Sequence, residues 1–166
     1  MSFISEWKIE YAKELANALN NRNILNNLRD GLPYPYTEND AKEYITAMQN
    51  ANKNCVFAFA ILFDNKCIGS IGIFRQANIH IRTAELGYYI AEEYWNKGIM
   101  TQAIKEICDY VFNNSDIVRI FAEPFESNIA SQRVLEKNGF HCEGILKNNA
   151  CKNGRIVNMK MYAKLK

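Results

Sequence analysis

The feature that most constrains this chain is a pair of apolar runs of strand length set almost end to end. Cys55 to Phe63 is continuously apolar, Asp64-Asn65-Lys66 is a polar turn, and Cys67 to Phe74 is a second β-rich run holding Gly69 and Gly72. Runs of that length bounded by turn residues predict a hairpin of two buried strands. Helical and strand patterns alternate around it. Trp7 to Tyr11 predicts a short opening strand, and residues 12–29 mix helix formers with Asn, predicting one or two short helices. Pro33-Tyr34-Pro35-Tyr36 forces an extended turn, because each proline fixes its own φ and biases its predecessor away from the helical region. Thr37 then opens a helix, with Asp40 three residues on as in a capping box and Ala41, Tyr44, Ile45 and Met48 on one face.

The second half continues the alternation. Thr83 to Ala91 predicts a strand, and Gly98 to Phe112 carries apolar pairs at helical spacing. Ile117 to Ala122 is strand-like, and Ser127 to Asn138 predicts a helix with Ser127 as N-cap and Gly139 at its exit. Two strands close the chain, roughly Phe140 to Lys147 and Arg155 to Ala163, joined across Asn153-Gly154. At 166 residues, without repeat or linker, the expectation is one α/β domain spanning 1–166.

Several function classes fall away. A net charge of +2 is too small for a nucleic-acid footprint or polybasic membrane attachment. The apolar run through Val56 to Phe63 is far short of the roughly 20 residues that span a bilayer. Met1 to Lys8 carries Glu6, Trp7 and Lys8 where a secretory leader needs a basic start and then an apolar stretch, so a cytoplasmic location is expected. Cys55, Cys67, Cys108, Cys142 and Cys151 form an odd set without a CxxC pair, which predicts core thiols. His80 and His141 have no partner ligands nearby in sequence, so no metal is expected. The nine Tyr and nine Phe sit mainly in apolar strand runs, where core packing explains them better than base stacking, and Glu92-Glu93 reads as a solvated strand end.

The residues able to carry chemistry lie between 85 and 140. Glu93 to Thr101 joins a strand to a helix start, where unpaired backbone N–H groups point outward and attract anions. Gly98 lets the backbone approach a phosphate, Lys97 adds charge and Thr101 a hydroxyl, a set that suits a pyrophosphate. The alternative is a plain strand-to-helix turn with a convenient glycine. Neither GxxxxGK[ST] nor GxGxxG is present, which argues against an NTPase or a Rossmann dehydrogenase.

One strand and one helix later comes N-x-x-S-x-x-x-L-x-K-x-G-F, at Asn128, Ser131, Leu135, Lys137, Gly139 and Phe140. WNKGIMT (95–101) together with NIASQRVLEKNGF (128–140) resembles the acetyl-CoA-binding core of the GNAT N-acetyltransferases. LRDGLPYPYTENDAKEYI (28–45), AELGYYI (84–90) and the closing NGR and MYAKLK segments (153–166) resemble the branch that holds ribosomal-protein N-terminal acetyltransferases. The resemblance covers nearly the whole chain in order.

It implies a twisted, mixed but mostly antiparallel sheet of six to seven strands flanked by helices, with the third and fourth long strands splayed to admit acetyl-CoA. The pantetheine arm would lie along Tyr88 to Ala91, Ile90 included. The pyrophosphate would sit on Trp95, Asn96, Lys97, Gly98, Ile99, Met100 and Thr101, and Asn128 and Ser131 would face the pantetheine or outer CoA. Trp95 and Met100 depart from the superfamily pattern, which implies a narrower or more apolar loop. Leu135 stands where many relatives carry the Tyr that protonates the departing thiolate.

Glu85 is the candidate base, at an acidic position common in the branch; the alternative is a strand-edge carboxylate. Tyr162 is a weaker candidate for the acid or the acceptor-site lining, against a core tyrosine. The acceptor implied is a primary amine, a protein N-terminus by branch resemblance, with polyamines, amino acids or aminoglycosides as alternatives. A non-catalytic acyl-CoA-binding module is the competing class. A homodimer is compatible with the sequence, which carries no interface signature.

Overall fold

The computed structural model describes residues 3–166; Met1 and Ser2, which begin the stretch considered above for a leader, lie outside them. The elements run β1 (Ile4–Ser5), α1 (Ala12–Leu19), α2 (Arg22–Leu25), α3 (Glu38–Asn50), β2 (Val56–Phe63), β3 (Lys66–Arg75), β4 (Thr83–Ile90), α4 (Ile99–Asn114), β5 (Arg119–Ala122), α5 (Ile129–Lys137), β6 (His141–Lys152) and β7 (Arg155–Leu165). They build one seven-stranded sheet in the order β1-β2-β3-β4-β5-β7-β6. Every neighbouring pair is antiparallel except β4 and β5.

The expected hairpin is β2 and β3. Asp64 and Asn65 both take positive φ, the conformation a two-residue turn needs to match the strand twist. β3 is buried from Cys67 to Ile73 because helices cover both faces of the sheet. Ala103, Ile104, Ile107 and Val111 of α4 pack one face with Leu135, Phe140 and Tyr162; Leu15 and Leu19 of α1 and Ala41 and Ile45 of α3 pack the other. The Thr37 cap forms as expected, its hydroxyl accepting from the Asp40 N–H while the Asp40 carboxylate accepts from the Thr37 N–H.

Four expectations are corrected. Trp7 to Tyr11 is no strand: β1 lies earlier, and Ile9–Tyr11 is a 3-10 turn running into α1. The apolar residues there serve the helical layer, with Trp7 edge-on to Tyr44 of α3 at 5.5 Å. The cap of α5 is Asn128, whose side chain accepts from the Ser131 N–H at 3.2 Å, whereas Ser127 is exposed. Ser and Asn are equally good caps, so adjacency alone leaves that choice open. β6 extends five residues beyond Lys147, because Asn153 and Gly154 form a positive-φ turn that holds Lys152 opposite Arg155. The polar stretch Lys147 to Lys152 carries no alternation to announce it. Finally, Cys67 and Cys108 are core thiols, but Cys142 and Cys151 are exposed, since β6 is the sheet's outer edge.

Gly69 marks the closest approach of β3 to β4. A Cβ there would stand 2.3 Å from the Tyr89 carbonyl oxygen and 2.9 Å from Ile90 Cα. Both neighbours are backbone and cannot rotate away, so Gly69→Ala is expected to lower stability by about 2 kcal/mol. Urea unfolding of the two proteins measures it.

Candidate active site

β4 and β5 run in parallel for only three residues, Thr83 to Glu85 against Arg119 to Phe121. Beyond that point β4 stays paired to β3 as far as Ile90. The chain leaving β5 follows β7 instead: the Lys160 N–H donates to the Pro124 carbonyl and the Glu126 N–H to the Asn158 carbonyl, both at 3.0 Å. Pro124 itself has no N–H with which to continue toward β4. A wedge therefore opens between residues 86–90 and 123–126, and it matches the splay expected of the third and fourth long strands. Gly87 is exposed on β4, and no atom lies within 4 Å of where its Cβ would stand. Among the described residues the β4 edge facing the wedge has no strand partner beyond Glu85, so an extended chain can hydrogen-bond to it.

The wide end of the wedge is closed by the loop into α4. Asn96 and Gly98 adopt positive φ, and Gly98 is the N-cap of the helix without any side-chain cap. Ile99 and Met100 anchor the first turn in the core. Among the described residues the amides of Ile99, Met100 and Thr101 take no acceptor, and the 16-residue helix behind them adds its positive dipole end. Trp95 pins the loop, its indole N–H donating to the Ile90 carbonyl at 2.9 Å. Lys97 is exposed, 5.1 Å from the Tyr94 ring. Met100, only 9% exposed, points into the core and adds no apolar bulk to the loop's outer face. The segment Trp95 to Thr101 and Ile90 are thus gathered at one end of the wedge.

α5 forms the far wall. The Asn128 side chain is committed to its cap, and the Ser131 hydroxyl lies 2.6 Å from the Tyr88 hydroxyl of β4, bridging the diverging arms. Burial pushes the Tyr88 phenol up to about 12, with the Ser131 hydrogen bond opposing, so Tyr88 stays protonated. Leu135, one turn on, is fully buried. Tyr162 is only 2% exposed and donates to Glu136 at 2.9 Å; burial, then its bond to Glu136, raise its pKa. Its hydroxyl is held to α5 from within the core.

The apex of the wedge carries two carboxylates. Glu85 ends the paired stretch of β4, Glu123 follows β5, and their side chains are 23% and 19% exposed. Arg29, from the segment after α2, spans both, forming an ion pair with Glu85 and lying 3.6 Å from Glu123. Burial raises the Glu123 pKa, the Glu85 charge raises it further, and Arg29 opposes them. Sequence reasoning missed Glu123; its one local signal is a charged residue at a strand's end, before proline. Glu92 is not merely solvated either. It accepts hydrogen bonds from Asn21 and Asn23 at 2.6 and 2.9 Å, which hold its pKa down and tie α2 to the loop.

The family described as the acetyltransferase (GNAT) domain matches residues 3–141. The chain belongs to the GNAT acetyltransferases. Its relatives include a probable N-acetyltransferase, YjcK, of Bacillus subtilis, 36% identical over 122 residues that cover 72% of this chain and 67% of that protein. An uncharacterized N-acetyltransferase of the same organism, YoaA, is 37% identical over 60% of this chain and only 55% of its own length. The ribosomal-protein-serine acetyltransferase of Escherichia coli is 28% identical over 64% of this chain and 59% of its own. Among solved structures, the ribosomal-protein-S5-alanine acetyltransferase of Vibrio fischeri superposes with a TM-score of 0.87 at 25% identity, over 99% of this chain and 94% of that one. Among the described residues no group of three or more His, Cys, Asp or Glu side chains could hold a metal, and no helix is long and apolar enough to cross a membrane.

The apex charges make a prediction with a definite sign. Glu85→Gln removes a charge that raises Glu123, so the Glu123 pKa falls; Arg29→Gln removes the opposing cation, so it rises. Carboxyl-carbon NMR titration of the three proteins resolves both directions.

Proposed function

We propose that the protein transfers the acetyl group of acetyl-CoA to a protein N-terminal amine, by direct attack within a ternary complex. The observation that carries this reading is the wedge itself, an unpaired strand edge with an anion-ready helix start at its wide end and a carboxylate pair at its apex. Acetyl-CoA fits those parts. The β4 edge from Tyr88 to Ile90 suits an extended amide-bearing arm, and the Lys97 to Thr101 backbone suits a pyrophosphate. When bound, acetyl-CoA supplies the activated acyl group.

The chain's residues do the rest. An amine arrives as ammonium and must lose a proton before it can attack, and the Glu85–Glu123 pair is placed to take it. Glu123 is the better matched member, because its raised pKa brings it nearer the operating pH. The Tyr88–Ser131 hydroxyl pair offers the departing thiolate a hydrogen bond that Leu135 cannot. Tyr162, through Glu136, positions α5. Kinship with the E. coli ribosomal-protein-serine acetyltransferase favours a protein acceptor, although the relatives also include a spermidine N(1)-acetyltransferase. Leu135 favours the second reading, a CoA-binding module without turnover.

Calorimetry is expected to give micromolar acetyl-CoA binding, weakened tenfold or more by Gly98→Val, since valine is strained at φ +77° and the loop amides must shift. Glu123→Gln is expected to keep that binding and lower kcat/KM on peptide amines by about 10²–10³. Acetyl-CoA binding with no turnover on any amine establishes the module instead.

A further inference from the structure

Two cavities adjoin the apex, between the α2 segment and the β6–β7 hairpin. One, of about 360 Å³, lies between Phe125 and Ser127 and the tip of the β6–β7 hairpin; the other, of about 250 Å³, lies under the segment after α2. They lie side by side across a shared wall of Asn26, Lys152 and Asn153, and we call the two together the groove. Its position ties it to the chemistry. Arg29, in its wall, is the residue that touches Glu85 and Glu123, and Phe125 and Ser127 lie two and four positions after Glu123.

The groove is lopsided in charge. Arg22, Arg29, Lys152 and Arg155 line it against a single carboxylate, Asp30. Asp30 is already taken by Lys152 at 2.5 Å, whose side chain is only 13% exposed. That bond, with Asn153 donating to Asn26 at 3.2 Å, clamps the hairpin tip to the α2 segment and makes the groove a standing feature. Arg22 lies 4.3 Å over the Tyr34 ring, and Arg155 is exposed; neither makes an ion pair among the described residues. The apex therefore asks for a cation, while the path from it asks for anions.

Resting on the N-terminal acceptor reading, we infer that the groove selects an acidic peptide, one whose α-amine is followed within its first few residues by carboxylate side chains. The ammonium displaces Arg29 at the carboxylate pair, and the acidic side chains meet Arg155 and Arg22 along the groove. A polyamine places further positive charge against the same cations and is disfavoured.

The test uses the full chain, acetyl-CoA and three peptides identical except that residues 2–4 are Asp, Asn or Lys, with spermidine as a fourth acceptor and thiol release as readout. The acidic peptide is expected to exceed the neutral one about tenfold in kcat/KM, or ~1.4 kcal/mol, and the Lys peptide to fall below both. The spread is expected to collapse to about twofold near 1 M salt, where screening acts over ~3 Å. Arg155→Glu, at an exposed hairpin tip, is expected to shift the preference toward the Lys peptide. Equal turnover of the three peptides, or a ranking that moves with neither salt nor Arg155→Glu, overturns the charge selection and leaves the N-terminal acceptor standing. Rapid acetylation of spermidine with none of any peptide overturns both.

Discussion

β4 and β5 are held together for three residues and then drawn apart by two stronger commitments. β4 is paired along its whole length to β3, which is buried between helical layers and cannot follow β5. β5 and the residues after it are paired to β7, and Pro124 lacks the N–H that a continued ladder to β4 would need. The candidate machinery depends on this parting. It leaves a strand edge unpaired in the protein's middle rather than at its rim, and it brings together two apex carboxylates, one on β4 and one just past the end of β5.

Opening a seven-stranded sheet at its centre leaves the two halves in need of other ties. Those present lie on both sides of the wedge: the Tyr88–Ser131 hydroxyl pair joins β4 to α5, the core packs Leu135, Phe140 and Tyr162 against α4, and Arg29 spans Glu85 and Glu123 at the apex. Each bridge joins diverging elements with little or no backbone pairing between them. In the proposed function the polar ones sit where the substrates come, so substrate binding and cohesion would draw on the same side chains. Arg29 illustrates the coupling, as a cation resting where a cationic acceptor would be received.

Much of the architecture was legible because it is written locally. The β2–β3 hairpin follows from two apolar runs and a polar turn, α3 from the Thr37–Asp40 box, and the α4 loop from a glycine between strand and helix patterns. Where local signals were silent or doubled, the reading slipped. Lys147 to Lys152 has no apolar alternation because an edge strand has little to bury, and Ser127-Asn128 offers two equivalent caps in a row. Trp7 reads as strand by residue type, yet its ring partner is Tyr44, on a helix far along the chain.

The sequence by itself determined the order and nature of most elements, the glycine at the head of α4, and membership of a family whose motifs are each a short contiguous segment. Tertiary structure alone decided that Glu123 joins Glu85, that Arg29 lies between them, that Tyr162 is spoken for by Glu136, and that four basic residues gather along one groove. The physical reason is range. Periodicity, capping and turn chemistry act over a few residues and leave their mark in the string. The Arg29–Glu85 and Arg29–Glu123 contacts join distant positions, and they exist only because sheet register and strand divergence bring those positions to one apex.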